Sequence, residues 1–91
     1  MAVLMVVHEL KSPDKDYGPF YKAIQDGSEQ WWHYMQNMWL VKTSSTPDTF
    51  ARQLYPHMLR TDWLFVGKLQ KEYQGWLPED AWKWINEKDF S

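Results

Sequence analysis

The chain has 91 residues, of which 44% are hydrophobic, 24% charged and 18% aromatic, a length and balance that predict one domain, residues 1–91, and give no support to disorder. The formal net charge of −2 lacks the basic excess typical of nucleic-acid-binding proteins, and without cysteine the chain cannot form disulfides, thiolate nucleophiles or cysteine-ligated metal sites. We therefore expect a cytoplasmic protein, and the six-residue apolar run at 2–7 is too short for a signal-peptide core or a membrane span.

The first predicted elements are a buried strand and an amphipathic helix. Val3 to Glu9 is short and apolar at nearly every position, which is typical of a central strand covered on both faces. Asp16 is the predicted N-cap of a helix that runs to about Gln25, and Gly27 is a natural C′ residue. Apolar residues in this helix recur at i, i+3, i+4 and i+7 and form one stripe: Tyr17, Phe20, Tyr21 and Ile24.

A tryptophan-rich hairpin follows. Gln30 to Met35 and Met38 to Thr43 are predicted strands joined at Gln36-Asn37, where asparagine tolerates the positive φ of a tight turn. The hairpin holds three of the seven tryptophans, and its apolar residues fall on both faces. Each face of the hairpin must therefore be buried by another part of the chain or by a partner.

The second half of the chain predicts a helix, a strand and a C-terminal helix. A hydroxyl N-cap and Pro47 begin a helix with a stripe of Phe50, Leu54 and Met58, and Pro56 ends its regular part early. Asp62 to Leu69 is the fourth predicted strand. Residues 70–91 form a C-terminal extension, in which a helix begins after Pro78 and runs to about Lys88.

The order βαββαβ predicts an α+β, ferredoxin-like antiparallel sheet with two helices on one face, plus a short C-terminal helix. The first and third strands would occupy the centre of the sheet. The opposite face would then be either a dimer interface or the seat of the C-terminal helix, and we favour a homodimer to which the C-terminal segment contributes. The predicted dimer or aromatic surface comprises Trp31, Trp32, Tyr34, Trp39, Trp63 and Trp76.

The best-placed polar pair is His8-Glu9, at the end of the first strand. If two chains pair about a two-fold axis, two Glu9 carboxylates could bind Mg²⁺ through oxygen, and His8 could transfer protons. The alternative is that Glu9 only marks the exit of the strand into solvent. The histidines His8, His33 and His57 have no metal-ligand spacing, so each is better explained as a satisfied or half-exposed histidine.

The hairpin aromatics could also stack nucleobases, as sheet aromatics do in RNA-binding modules. Such modules combine their aromatics with basic residues, whereas this hairpin offers only Lys42 and His33. Core packing and dimerisation therefore explain the tryptophans more simply.

Over nearly its full length the chain resembles a group of small ferredoxin-like bacterial and phage proteins related to the small dimeric subunit of the CRISPR spacer-acquisition complex and to VapD-type toxin ribonucleases. The resemblance rests on four segments of the chain: Val3 to Leu10, Asp16 to Ile24, Trp31 to Thr43 and Asp62 to Val66. It implies a homodimer that hydrolyses phosphodiesters with a metal held by an aspartate at the end of the first strand. Here Glu9 stands at that position and His8 at the preceding aromatic one, and the longer Glu9 side chain puts nuclease activity in doubt.

Two hypotheses follow. The first is a nucleic-acid-associated homodimer that binds RNA or DNA, with weak or absent Mg²⁺-dependent endoribonuclease or endodeoxyribonuclease activity at Glu9 and His8. The second is a non-catalytic homodimeric protein-interaction module that uses an aromatic sheet face. A further alternative is a small-molecule site lined by tryptophans between subunits.

Overall fold

Four strands and three α-helices alternate along residues 1–88, the part of the chain that the computed structural model describes. The elements are β1 (Ala2–Glu9), α1 (Gly18–Asp26), β2 (Gln30–Met35), β3 (Met38–Thr43), α2 (Pro47–Leu54), β4 (Trp63–Lys68) and α3 (Glu79–Asn86). A 3₁₀ turn, Tyr55–His57, follows α2 directly. The last three residues of the predicted C-terminal extension lie outside the described part.

The strands form one antiparallel sheet in the order β2-β3-β1-β4. The chain is therefore α+β, and β1 and β3 occupy the centre of the sheet as predicted. Val3 and Leu4 are both fully buried although they point to opposite faces of the sheet, which confirms that the first half of β1 is covered on both sides.

Helices α1 and α2 pack on the same face of the sheet, which we call the helix face. Alternate residues of β1 and β3 contact the apolar stripes of the two helices, as the sequence periodicity predicts. The resulting buried core consists of Leu4, Val6, Phe20, Ile24, Trp39, Val41, Phe50 and Leu54. This is the larger of the two apolar clusters in the described chain.

The ends of α2 agree with their sequence signals. The Thr46 hydroxyl accepts a hydrogen bond from the backbone N–H of Thr49 at 3.2 Å and so caps the helix. The regular helix ends at Leu54, and the chain tightens into the 3₁₀ turn that contains Pro56.

Three local predictions need correction. Helix α1 begins at Gly18 with Tyr17 as the N-cap, because the Asp16 carboxylate accepts the Gly18 N–H at 2.9 Å in a turn before the helix. Gly27 ends α1 with a φ of −82°, and a Cβ there would meet Phe50 Cε2 at 3.1 Å, so this glycine allows close helix packing. Asn37 does not have a positive φ, since no non-glycine residue of the described chain has one.

Helix α3 covers part of the opposite face, which we call the open face. Its residues Ala81 and Ile85 pack on Val3, Trp32 and Leu40 in a second buried cluster. The chain thus closes this half of the open face with its own C-terminal helix, and a second copy is not needed there.

The other half of the open face carries four residues that we call the uncovered strip: Val7, Glu9, Trp63 and Phe65. In the strand register Val7 lies opposite Phe65 and Glu9 opposite Trp63, so the four side chains form two adjacent cross-strand pairs. No described helix packs on them. The strip therefore exposes two large aromatic side chains on an edge strand.

Candidate functional site

His8 and Glu9 end β1 as predicted, but they face opposite sides of the sheet. Successive side chains of a strand alternate, so His8 shares the helix face with Leu4 and Val6, whereas Glu9 lies on the open face. His8 is buried and Glu9 is exposed. Within one chain, the two side chains cannot act on a bound group from the same side.

The surroundings of His8 are those of a buried aromatic residue. Trp39 Nε1 donates a hydrogen bond to His8 Nε2 at 3.2 Å, and the Phe20 and Tyr21 rings contact the imidazole edge-on at centroid distances of 5.3 and 5.9 Å. Because Nε2 accepts, the neutral imidazole carries its proton on Nδ1, which is buried without a partner in the described chain. Burial lowers the pKa of His8 below its ordinary 6.5, and the neighbouring His33 lowers it further.

Glu9 lies in a small polar arrangement at the end of the uncovered strip. Its carboxylate is 4.0 Å from Lys11 Nζ, and the same ammonium lies 3.3 Å from the centre of the Trp63 ring. Lys11 thus covers one face of the indole with a cation–π contact. The Glu9 carboxylate is therefore exposed to solvent beside Lys11 and Trp63.

A metal site within one chain has no set of ligands in the described residues. Among residues 1–88, no group of three or more histidine, aspartate or glutamate side chains is placed to hold an ion. The predicted Mg²⁺ ligand Glu9 would need ligands from a second chain, as the sequence hypothesis assumed.

The six aromatic residues predicted for the dimer surface divide into buried and exposed groups. Trp32 and Trp39 are each only 2% exposed and belong to the cores of the open face and the helix face. Their assignment to a surface is wrong, because the helices of the same chain cover them. Trp31 remains 45% exposed on the helix-face side, where its ring lies 5.3 Å from that of Trp39.

The remaining three lie on the open face. The Tyr34 hydroxyl donates to Asp80 Oδ2 at 2.6 Å, which links β2 to the first turn of α3. Trp63 is 63% exposed, and Trp76 is 98% exposed in the segment that precedes α3. Trp63 and Trp76 thus remain available to a partner.

Sequence reasoning missed Phe65, which is 66% exposed and lies two residues after Trp63 on the same strand face. The alternation Trp63-Leu64-Phe65-Val66 predicts that Trp63 and Phe65 share one face of the strand. Leu64 and Val66 pack against the helix-face core, so Trp63 and Phe65 must point to the other side. Phe65 completes the uncovered strip.

Asp62, the predicted first residue of the fourth strand, has a role that the sequence pattern does not predict. Its buried carboxylate accepts the backbone N–H groups of Lys11 and Leu59, each at 2.9 Å, and the Tyr17 hydroxyl at 2.8 Å. Burial alone would raise the pKa of Asp62, but these hydrogen bonds outweigh it and the pKa lies below its ordinary value. Asp62 joins the loop between β1 and α1 to the loop that precedes β4, and so has a structural role.

An apolar pocket of about 240 Å³ lies between the sheet, α3 and the segment before it. Its floor is formed by Met5, Met38 and Leu40, and Trp76 lies at its rim. Met38 is the cross-strand neighbour of Val7, so the pocket adjoins the uncovered strip. The strip and the pocket together form the candidate functional site.

Comparison of the chain with protein-family models, with curated proteins and with solved structures finds no match. The resemblance to the CRISPR and VapD-type group therefore stays a prediction. In the described residues, every helix is too short or too polar to cross a lipid bilayer.

Proposed function

We propose that this chain is a non-catalytic homodimeric interaction module in which the open face of one copy binds the open face of another. The observation that carries the proposal is the uncovered strip, where Trp63 and Phe65 are side by side and mostly exposed. Aromatic side chains in a compact patch next to an apolar pocket are typical of interface centres.

The exposed aromatic side chains supply a substantial part of the area that a stable dimer requires. A buried aromatic side chain covers about 150–250 Å², so Trp63, Phe65 and Trp76 together leave roughly 350–550 Å² for a partner to cover. A standard interface takes about 800 Å² from each partner, so three side chains supply about half of it. Covering these rings removes apolar surface from water, which favours association.

A two-fold axis through the open face suits this patch, because an isologous interface joins the same residues of both chains. The ferredoxin-like assignment is part of the same proposal. It is supported by the central positions of β1 and β3 and by the packing of α1 and α2 on one face. With the helix face filled, the open face is the one that an added chain can reach.

Sedimentation equilibrium from nanomolar to high micromolar concentration tests the proposal. We expect a reversible dimer that Trp63→Ala weakens about tenfold or more. Trp31→Ala is the matched control, since Trp31 is an exposed tryptophan on the helix-face side, and it should change the dissociation constant by less than about twofold. A chain that stays monomeric throughout, or a dimer that only Trp31→Ala weakens, would overturn the proposal.

The nuclease hypothesis is the second candidate, and one observation favours it. Glu9 is exposed and belongs to the uncovered strip, so open-face pairing would bring two Glu9 carboxylates towards one another. Two carboxylates are a common protein contribution to a Mg²⁺ site. His8 has no part in this candidate, because it is buried on the helix face.

Cleavage of RNA and DNA oligonucleotides in Mg²⁺ or Mn²⁺ tests this candidate. It predicts metal-dependent cleavage that Glu9→Gln abolishes while the dimer persists. Glu29→Gln is the matched control, because Glu29 is another exposed glutamate paired with a lysine, Lys42, at 3.8 Å, and it should leave cleavage unchanged. If the wild-type dimer cleaves no substrate at any metal concentration, the nuclease candidate is wrong and only the interaction module remains.

A further inference from the structure

Trp76 is the most exposed large apolar residue of the described chain, at 98%, and it lies at the rim of an apolar pocket that it does not fill. An isolated exposed tryptophan is unremarkable in many proteins, but here the empty space beside it is lined by apolar side chains. The arrangement pairs a protruding indole with a recess on the same face of the sheet.

The recess has the volume of an indole ring. A cavity of roughly 150 Å³ is known to hold benzene, which has six ring atoms, so the nine ring atoms of an indole need roughly 225 Å³. The pocket measures about 240 Å³. Its walls include the flexible side chains of Met5, Met35 and Met38, which adapt to an inserted ring and contact it favourably through sulfur.

We infer that Trp76 of each chain inserts into the pocket of a second copy of this chain. This inference rests on the proposed homodimer and names the contact at its centre. Because Trp76 lies at the rim of its own pocket, a two-fold axis near that rim places each indole against the pocket of the other chain.

The contact also extends the proposed interface without a gap. Met38 forms part of the pocket floor and is the cross-strand neighbour of Val7 in the uncovered strip. The two Trp76 side chains, the two pockets and the two strips then form one continuous surface. Each pocket is complete only when the other chain supplies its indole.

Two variants separate insertion between chains from closure within one chain. Trp76→Ala removes the indole, and its position in solvent leaves the fold unaffected. Met5→Trp fills the pocket from its floor. In each variant alone both reciprocal contacts are lost, and we expect the dimer dissociation constant to rise about 30-fold or more.

Mixing the two variants restores one contact, since the Trp76 of a Met5→Trp chain meets the empty pocket of a Trp76→Ala chain. Because loss of both contacts costs about 30-fold, we expect one restored contact to make the mixed dimer about fivefold tighter than either variant dimer. If Trp76 instead closes its own pocket, mixing brings no gain, and the inference fails.

A second measurement does not depend on the Met5→Trp variant folding. In protein labelled with 5-fluorotryptophan, the ¹⁹F resonance that Trp76→Ala removes belongs to Trp76. We expect it to shift and broaden as the wild-type chain is diluted from dimer to monomer. A wild-type dimer whose Trp76 resonance is independent of concentration, or which Trp76→Ala does not weaken, overturns the inference while the proposed dimer stands. A chain that is monomeric at every concentration overturns both.

Discussion

The two faces of the sheet are covered in different ways. On the helix face, two helices bury a continuous core that includes three large aromatic rings, those of Phe20, Trp39 and Phe50. On the open face, one helix of eight residues buries a smaller cluster and leaves Trp63 and Phe65 in solvent. The difference indicates that the helix face supplies most of the buried core of the single chain, whereas the open face keeps large aromatic rings in solvent.

The largest expected effect comes from deleting an aromatic ring of the helix-face core, and an exposed ring of the open face provides the control. Phe20→Ala empties a site in the helix-face core and should lower the free energy of unfolding by about 3–5 kcal/mol. Phe65→Ala is the matched control, because its ring is mostly exposed, and it should cost less than about 0.5 kcal/mol. Urea unfolding of the dilute monomer measures both. Equal losses would show that the two faces do not differ.

A smaller effect should mark the contribution of α3. Ile85→Ala removes a buried side chain between α3 and the sheet, and we expect a loss of about 2 kcal/mol, at the lower end of the range for such truncations. Lys83→Ala in the same helix replaces an exposed residue and should change stability by less than about 0.5 kcal/mol. If Ile85→Ala costs nothing, α3 is not a fixed cover of the open face.

The sequence predicts most of the secondary structure because the signals are local. The bounds of β2 and β3 agree with the alternation of the hairpin, and the end of α2 follows from Pro56. The start of α1 is displaced because the Asp16 carboxylate binds the Gly18 N–H in a turn before the helix. That choice between two neighbouring turns is not visible in a sequence pattern.

The candidate site could be predicted only in part. The exposure of Trp63 follows from strand alternation, whereas the burial of Trp32 depends on where α3 packs on the sheet. Successive side chains of a strand point to opposite faces, so His8 and Glu9 are separated although they are neighbours in sequence. The role of Asp62 could not be predicted, because Lys11 and Tyr17 are distant in the chain.

Asp62 offers the next test, because it holds the loops at one end of the helix face together. Asp62→Asn leaves one acceptor oxygen where a carboxylate now serves three donors, and we expect a loss of about 2 kcal/mol. Asp26→Asn, at an exposed pair with Lys22, should cost about 0.5 kcal/mol or less. Because the folded pKa of Asp62 is lowered, its contribution is present above the unfolded value and is lost as pH falls through the folded pKa. The acid limb of a stability curve should therefore flatten in Asp62→Asn.

The smallest expected effect is the pH dependence that His8 gives to the helix face. Its folded pKa lies below 6.5, so between the two values the unfolded chain binds more protons and stability falls as pH is lowered. The contribution is complete above pH 6.5, and one such proton gives a slope of at most about 1.4 kcal/mol per pH unit.

His8→Phe keeps an aromatic ring against Phe20 and removes this slope, although Trp39 Nε1 loses its acceptor and overall stability drops. His33→Asn should bring the folded pKa of His8 closer to 6.5, because His33 is the second cause of its lowering. The pH range over which stability changes should therefore narrow. Urea unfolding at intervals from pH 7.5 to pH 5 measures these slopes, and a wild-type slope equal to that of His8→Phe would show that His8 is not held neutral in the core.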